Sequence, residues 1–211
     1  MSIKNIVFDF GNVICKYDPS SMMESFSLSE EEKSLFSEKV FNSPLWKDAD
    51  RGFSYRDVLF YDVLHKLPES LVRFFYACVA RYDFEEKFMP LNPGIDKLIV
   101  ALKQQGYKIY LLSNIGLNIH YLCLKLPVLS LFDGKFVSCD CGLIKPENAV
   151  YQAFFEKFSL APEECVFIDD SYENVSASEK AGMRAFTYNA LEEDVASLCD
   201  KLKNFGIECN F

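Results

Sequence analysis

From Leu91 to the end of the chain, short apolar runs alternate with helical patterns, and this alternation leaves few ways to fold. "PGIDKLIVALKQQG" predicts a helix closed by Gly106, and "YKIYLLSN" a buried strand. "IGLNIHYLCLKL" reads as a helix and "GKFVSCD" as a short strand. "PENAVYQAFFEKF" is a helix, "ECVFIDD" a strand, "YENVSASEKAG" a helix and "MRAFTYN" a strand. "LEEDVASLCDKLKNFG" supplies the last helix. A further strand stands far upstream, in "IVFDF". Strands separated by helices pair in parallel and place the helices over both faces, so the expected class is α/β with a mostly parallel sheet.

Between the first strand and Leu91 the pattern is helical. "SLSEEEKSLFSEKVF" opens with Ser29 as N-cap and acids in the first turn, where they suit the helix dipole. "SYRDVLFYDVLHKL" has apolar residues at helical spacing, and "PESLVRFFYACVARY" begins with Pro68, suited to a first helical turn. Residues 16–87 are therefore expected to form a compact helical insert with its own small core, and 1–15 with 88–211 the α/β domain. The 211 residues suffice for one sizeable core plus such an insert.

Composition narrows the function. A formal net charge of −9 offers no basic stripe to neutralise a nucleic-acid backbone, although a local positive pocket for a small anion is compatible with it. No apolar run has the ~18 residues of a membrane span, and none at the start resembles a signal peptide, so the expected location is cytoplasmic. Eight cysteines do not imply disulfides in such a chain. Cys15, Cys78, Cys123, Cys165 and Cys199 lie in apolar stretches and read as small buried thiols. Cys139 and Cys141, in "SCDCG", read as a reduced loop, because the two histidines are remote in sequence and no second cysteine pair completes a zinc site.

Ligands of open α/β sheets bind at the carboxyl ends of the strands. Four such ends carry polar groups here: Asp9; Ser113 with Asn114; the region leading to Lys145; and Asp169 with Asp170. Each alone is an ordinary helix cap, but together they line one rim. Three carboxylates there would repel one another unless a hard divalent cation, Mg²⁺ above all, sat among them. Ser113 and Asn114 are expected to precede a helix whose N–H groups welcome an anion. With Lys145 as a positive charge, the set describes a phosphoryl site with Asp9 as nucleophile.

In order, "FDFGNV", "LLSN", "KPE" and "FIDDSYENV" resemble the four motifs of the haloacid dehalogenase superfamily of aspartyl phosphohydrolases, over nearly the whole chain. The superfamily core is Rossmann-like, and the helical insert resembles its C1 cap. "DFGNV" with "WKDADRGFSYRDVLF" is similar to the subgroup containing a bacterial α-D-glucose-1-phosphate phosphatase. The resemblance implies that Asp9 attacks phosphorus to give an aspartyl phosphate. It also implies that Mg²⁺ is held by Asp9, the Gly11 main-chain carbonyl and Asp170, with Asp169 in support. Ser113 would bind the phosphoryl oxygens beside the Asn114 main chain, Lys145 would balance charge, and Asn174 would orient the acidic loop. The expected partner is a small phosphorylated metabolite, possible sugar phosphates among them.

One position departs from the pattern. Where the superfamily usually has a second aspartate that protonates the leaving alkoxide, this chain has Gly11. Acid–base assistance is worth roughly 10²–10⁴ in rate, although a sugar 1-phosphate, whose anomeric oxygen leaves readily, needs less of it. Two other readings share the motifs: a metal-independent 2-haloacid dehalogenase, whose halide leaves unprotonated, and a catalytically weak binding module. In the insert, Trp46, Asp48, Asp50 and Arg51 are expected in a turn facing the rim. There Trp46 either stacks on a sugar face or anchors the insert's core, and Arg51 meets an anionic or hydroxyl-rich group. His65 and His120 are expected to pack on apolar helical faces.

Overall fold

The computed structural model describes residues 2–53, 63–80 and 88–209. Five parallel strands form one sheet: β1 (Asn5–Phe8), β2 (Lys108–Ser113), β3 (Gly134–Val137), β4 (Cys165–Asp169) and β5 (Arg184–Thr187), in the order β3-β2-β1-β4-β5. The chain thus winds outward from β1 through β2 to β3, then returns to the other side of β1 for β4 and β5. The crevice between the ends of β1 and β4 is the switch point where such sheets bind ligands. The register sets Phe8 opposite both Leu111 and Ile168, so Asp9, Ser113 and Asp169 emerge at one rim.

Alternation along the strands divides the core between the two faces. Ile6, Phe8, Ile109, Leu111, Val166 and Ile168 face one side. They pack with α5 (Ile95–Gln104), α6 (Ile119–Lys125) and α10 (Val195–Lys203). Val7, Tyr110, Leu112, Phe136 and Phe167 face the other and pack with α8 (Asn148–Phe158) and α9 (Tyr172–Lys180). Phe154 is fully buried there, edge-on to Tyr110 and Phe136 at 5.9 and 6.1 Å between ring centres.

The segment after β1 is helical, with a separate apolar cluster of Met22, Met23, Leu28, Phe36, Val40, Leu71, Phe74 and Phe75. Its elements are α1 (Pro19–Glu24), α2 (Glu30–Phe36), a π-helical turn over Ser37–Phe41, α3 (Pro44–Asp50) and α4 (Glu69–Ala80). Ser29 caps α2 as expected, in a capping box with Glu32. Pro68 falls just before α4 rather than within it. Most of "SYRDVLFYDVLHKL" and the end of "PESLVRFFYACVARY" lie outside the described residues.

Three local expectations need correction. Residues 46–50 form the end of α3 rather than a turn, because Ser43 caps the Trp46 N–H and Pro44 suits the first helical position. The strand expected over "GKFVSCD" stops at Val137. Ser138–Cys141 form a short helical turn, α7, closed by Gly142 in the left-handed region, so Cys139 and Cys141 are free thiols on a helix. Of the five thiols read as buried, Cys15, Cys165 and Cys199 are so, while Cys78 and Cys123 are half-buried.

The large-to-small change Phe154→Ala should cost about 3–5 kcal/mol, read as a lower urea midpoint with a native-like far-ultraviolet spectrum. An unchanged midpoint would contradict the packing described for this face.

Candidate active site

The Lys145 ammonium is at the centre of the rim. It lies 2.8 Å from Asp9 Oδ1 and 2.6 Å from Asp169 Oδ2, and donates to the Leu112 carbonyl at 3.0 Å. All three charged groups are buried: Asp9 is 8% exposed, Lys145 3% and Asp169 0%. The Asn114 side chain fixes the lysine's backbone from both sides, its Oδ1 accepting from Lys145 N at 2.8 Å and its Nδ2 donating to Lys145 O at 2.9 Å. Asp169 is held in turn by Asn174 Nδ2 and the Ser171 N–H, at 2.9 and 2.8 Å. Asn114, Lys145, Asp169 and Asn174 are thus brought together as expected, and Ser113 is buried beside Asn114 at the end of β2.

The charges are not in balance. Asp9, Asp169 and Asp170 offer carboxylate oxygens that all lie within 4.8 Å of one another, and among the described residues one ammonium, that of Lys145, is paired with them. Burial pushes the Asp9 carboxyl up to about 7, with Asp169 and Asp170 adding and Lys145 opposing. Asp170 is also raised by burial, against a hydrogen bond from Asn12. Burial pulls Lys145 down, but Asp169 and Asp9 outweigh it and hold it above its ordinary value. Although Lys145 is close, Asp9 Oδ1 has no well-aligned hydrogen bond. A buried anionic oxygen in that condition, amid hard oxygen donors only, suits a divalent cation, which would hold the carboxyls ionised.

Sequence reasoning overlooked Asn12. It adopts φ +54°, a left-handed conformation asparagine tolerates better than most residues. Its Nδ2 donates to Asp170 Oδ2 at 3.0 Å, its Oδ1 accepts from Tyr17 N at 2.8 Å, and its carbonyl accepts from Ala190 N at 2.7 Å. The loop after β1 is thereby tied to the loop after β4. The only hint was an asparagine directly after Gly11.

The expected helix N-terminus beside Ser113 and Asn114 is absent. The α6 helix starts at Ile119, and the intervening Ile115 N–H already donates to Ser138 Oγ at 2.8 Å. Instead, a cavity of about 210 Å³ opens over the rim. Gly11, Ser113, Asn114, Phe10, Ile115 and Met89 line it from the α/β side. Tyr17, Trp46 and Asp50 line it from the helical segment. Trp46 does both things considered for it: it borders the cavity and packs edge-on to Phe41 at 4.9 Å. Arg51 borders an adjoining cavity with Lys145 and Asp50. Its guanidinium donates to the Gly142 carbonyl at 2.6 Å and pairs with Glu147, joining the helical segment to the α/β domain.

The histidines are not packed as expected, since both are exposed. His120 Nε2 lies 3.0 Å from Asp140 Oδ1, and with Cys139 the two form a second cluster of potential metal donors among the described residues. Their separation in sequence hid this juxtaposition.

If the acidic cluster takes a cation, Mg²⁺ at about 100 times its dissociation constant should stabilise the chain by about 2.7 kcal/mol, a rise of roughly 5–10 °C in melting temperature. Thermal unfolding with and without Mg²⁺ reads this, and the Asp170→Asn variant should lose most of the rise. An equal rise in both proteins would contradict the assignment.

Residues 3–182 match the family model of haloacid dehalogenase-like hydrolases. The sesquiterpene phosphatase astK of Aspergillus oryzae is 27% identical over 183 residues, covering 86% of this chain and 88% of that protein. The D-ribitol-5-phosphate phosphatase of Bacteroides thetaiotaomicron is 24% identical over 194 residues, covering 87% and 91%. Some relatives are longer: the chain spans 35% of the drimenol cyclase drtB of Aspergillus calidoustus. A HAD family enzyme from Bacteroides thetaiotaomicron, solved with magnesium and inorganic phosphate, has the same fold. Its TM-score is 0.69 at 21% identity, over 93% of this chain and 99% of that one. With the family model covering most of its length, the chain belongs to the haloacid dehalogenase-like hydrolases and is a hydrolase.

Proposed function

We propose that the protein is a Mg²⁺-dependent phosphatase that hydrolyses a small phosphomonoester through an aspartyl phosphate on Asp9. The observation that carries this reading is the buried Asp9 carboxylate, held by Lys145 at 2.8 Å beside Asp169 and Asp170. Two relatives named as phosphatases, aligned over most of the chain, support it, as does a neighbour of the same fold holding magnesium and phosphate. Residues 16–87 are read as the cap domain over the site, and 1–15 with 88–211 as the core.

In this reading Asp9, the Gly11 carbonyl and Asp170, with Asp169 in support, would hold the cation, which would supply positive charge against the phosphoryl oxygens. An Asp9 carboxylate oxygen attacks phosphorus in line, and the ester oxygen departs. Water then attacks the same phosphorus and frees Asp9. Lys145 offsets the charge of Asp9 and of the phosphoryl group, where a buried ammonium acts with little screening. Ser113 binds a phosphoryl oxygen beside the Asn114 main chain. Asn114 and Asn174 keep Lys145 and Asp169 in place, and Arg51 keeps the cap seated. The small cavity favours a compact alcohol, and its Trp46 and Tyr17 rings suit the C–H face of a sugar or polyol. The acidic pair is a poor neighbour for a haloacid carboxylate, which disfavours dehalogenation.

Phosphate release from a panel of metabolite esters with Mg²⁺ tests the reading. Asp9→Asn should lower it at least about a thousandfold, and EDTA should abolish it. Release that survives either treatment would overturn the reading.

A further inference from the structure

We infer that Asp50, at the end of α3, is the general acid and base of the reaction, doing from the cap what Gly11 cannot do from the core. The inference rests on the phosphatase reading above.

Position 11 has room for the side chain it lacks. A β-carbon built on Gly11 would meet nothing within 4 Å, and the residue is not in the left-handed region, so neither space nor backbone forbids a side chain there. The hydrolysis still needs a proton for the departing alkoxide. Asp50 is the only carboxylic acid among the described residues lining the cavity, which it shares with Gly11, Ser113 and Asn114. It also borders the adjoining cavity with Asn174 and with Lys145, the lysine paired with Asp9 at 2.8 Å.

Its surroundings suit the role. The Asp50 side chain is half-buried, and none of the hydrogen bonds or ion pairs of the described residues involves it. Burial, with the negative charge of Asp9 adding, pushes its carboxyl up to about 7, the range that suits a group giving and taking a proton near neutrality. Its position is fixed by its neighbours in the chain. Arg51 is bound to the Gly142 carbonyl and Glu147. Gly52, at φ +96°, packs so closely that a β-carbon would come within 2.2 Å of the Cys139 carbonyl oxygen. The end of α3 is therefore seated against α7 by two consecutive residues, which keeps Asp50 over the rim.

The proton balance closes. As an Asp9 oxygen bonds to phosphorus, the ester P–O bond breaks and its electron pair leaves on the alcohol oxygen, which takes the proton of Asp50. In the second step the Asp50 carboxylate takes a proton from water while the water oxygen bonds to phosphorus and the bond from phosphorus to Asp9 breaks. Asp50 is again protonated, Asp9 is again a carboxylate, and phosphate is released.

The test is the leaving-group dependence of Asp50→Asn, using nitrophenyl, phenyl and alkyl phosphates with Mg²⁺ present. The variant should lose about 10²–10⁴ in kcat/KM on alkyl phosphates, less than about tenfold on nitrophenyl phosphate, whose oxygen leaves unaided, and an intermediate amount on phenyl phosphate. Inhibition by inorganic phosphate should be little changed, showing an intact anion site. An equal loss across the series, or no loss on alkyl esters, would overturn the assignment while leaving the phosphatase reading standing. Asp9→Asn should depress every ester alike, and wild-type protein releasing no phosphate from any of them would overturn both.

Discussion

The ammonium of Lys145, buried between Asp9 and Asp169, is the interaction on which the rest of the site depends. Burying one ion pair is seldom profitable, because desolvation consumes most of the Coulombic gain. Here, among the described residues, one cation faces three carboxylates, so the lysine cannot satisfy them all. The fold accepts that cost at the switch point of its sheet and surrounds it with fixed partners: Asn114 on the lysine backbone, Asn174 and Ser171 on Asp169, Asn12 on Asp170. The residual negative charge suits the site to a divalent cation. On the proposed reading, a bound cation and the lysine together would offset the repulsion between a carboxylate nucleophile and a phosphoryl group.

The helical segment completes what the sheet begins. Strand ends can gather charged groups but cannot close a cavity over them, and the segment between β1 and α5 does so with Tyr17, Trp46 and Asp50. Its attachment is economical. Arg51 reaches two core partners, and Gly52 permits a backbone approach that no other residue would allow. The helical segment and the α/β domain are thus held together at Arg51 and Gly52, directly after Asp50.

Much of this was legible in the residues. The βα alternation gave the parallel sheet, and polar residues at strand ends placed Asp9, Ser113 and the Asp169–Asp170 pair on one rim, because parallel strands bring equivalent ends together; Lys145 reaches it from the loop beyond β3. What stayed hidden depended on local geometry or long-range approach. Asn12 matters through a left-handed backbone and three hydrogen bonds that an asparagine in a loop does not announce. The α3 helix is only seven residues long and gives little periodicity, so Asp50 seemed to sit in a turn. The start of α6 was misplaced because Ile115 and Leu117 look helical, whereas Ser138 captures the Ile115 N–H in an extended loop. His120 and Asp140 approach only once the sheet has formed.

The central claim is that the buried acids form a divalent-cation site, and anomalous scattering from crystals soaked in Mn²⁺ tests it most directly. The account expects the strongest anomalous peak between the Asp9 and Asp170 carboxylates, within bonding distance of both. A map with no peak there, or with manganese only at His120 and Asp140, would contradict it.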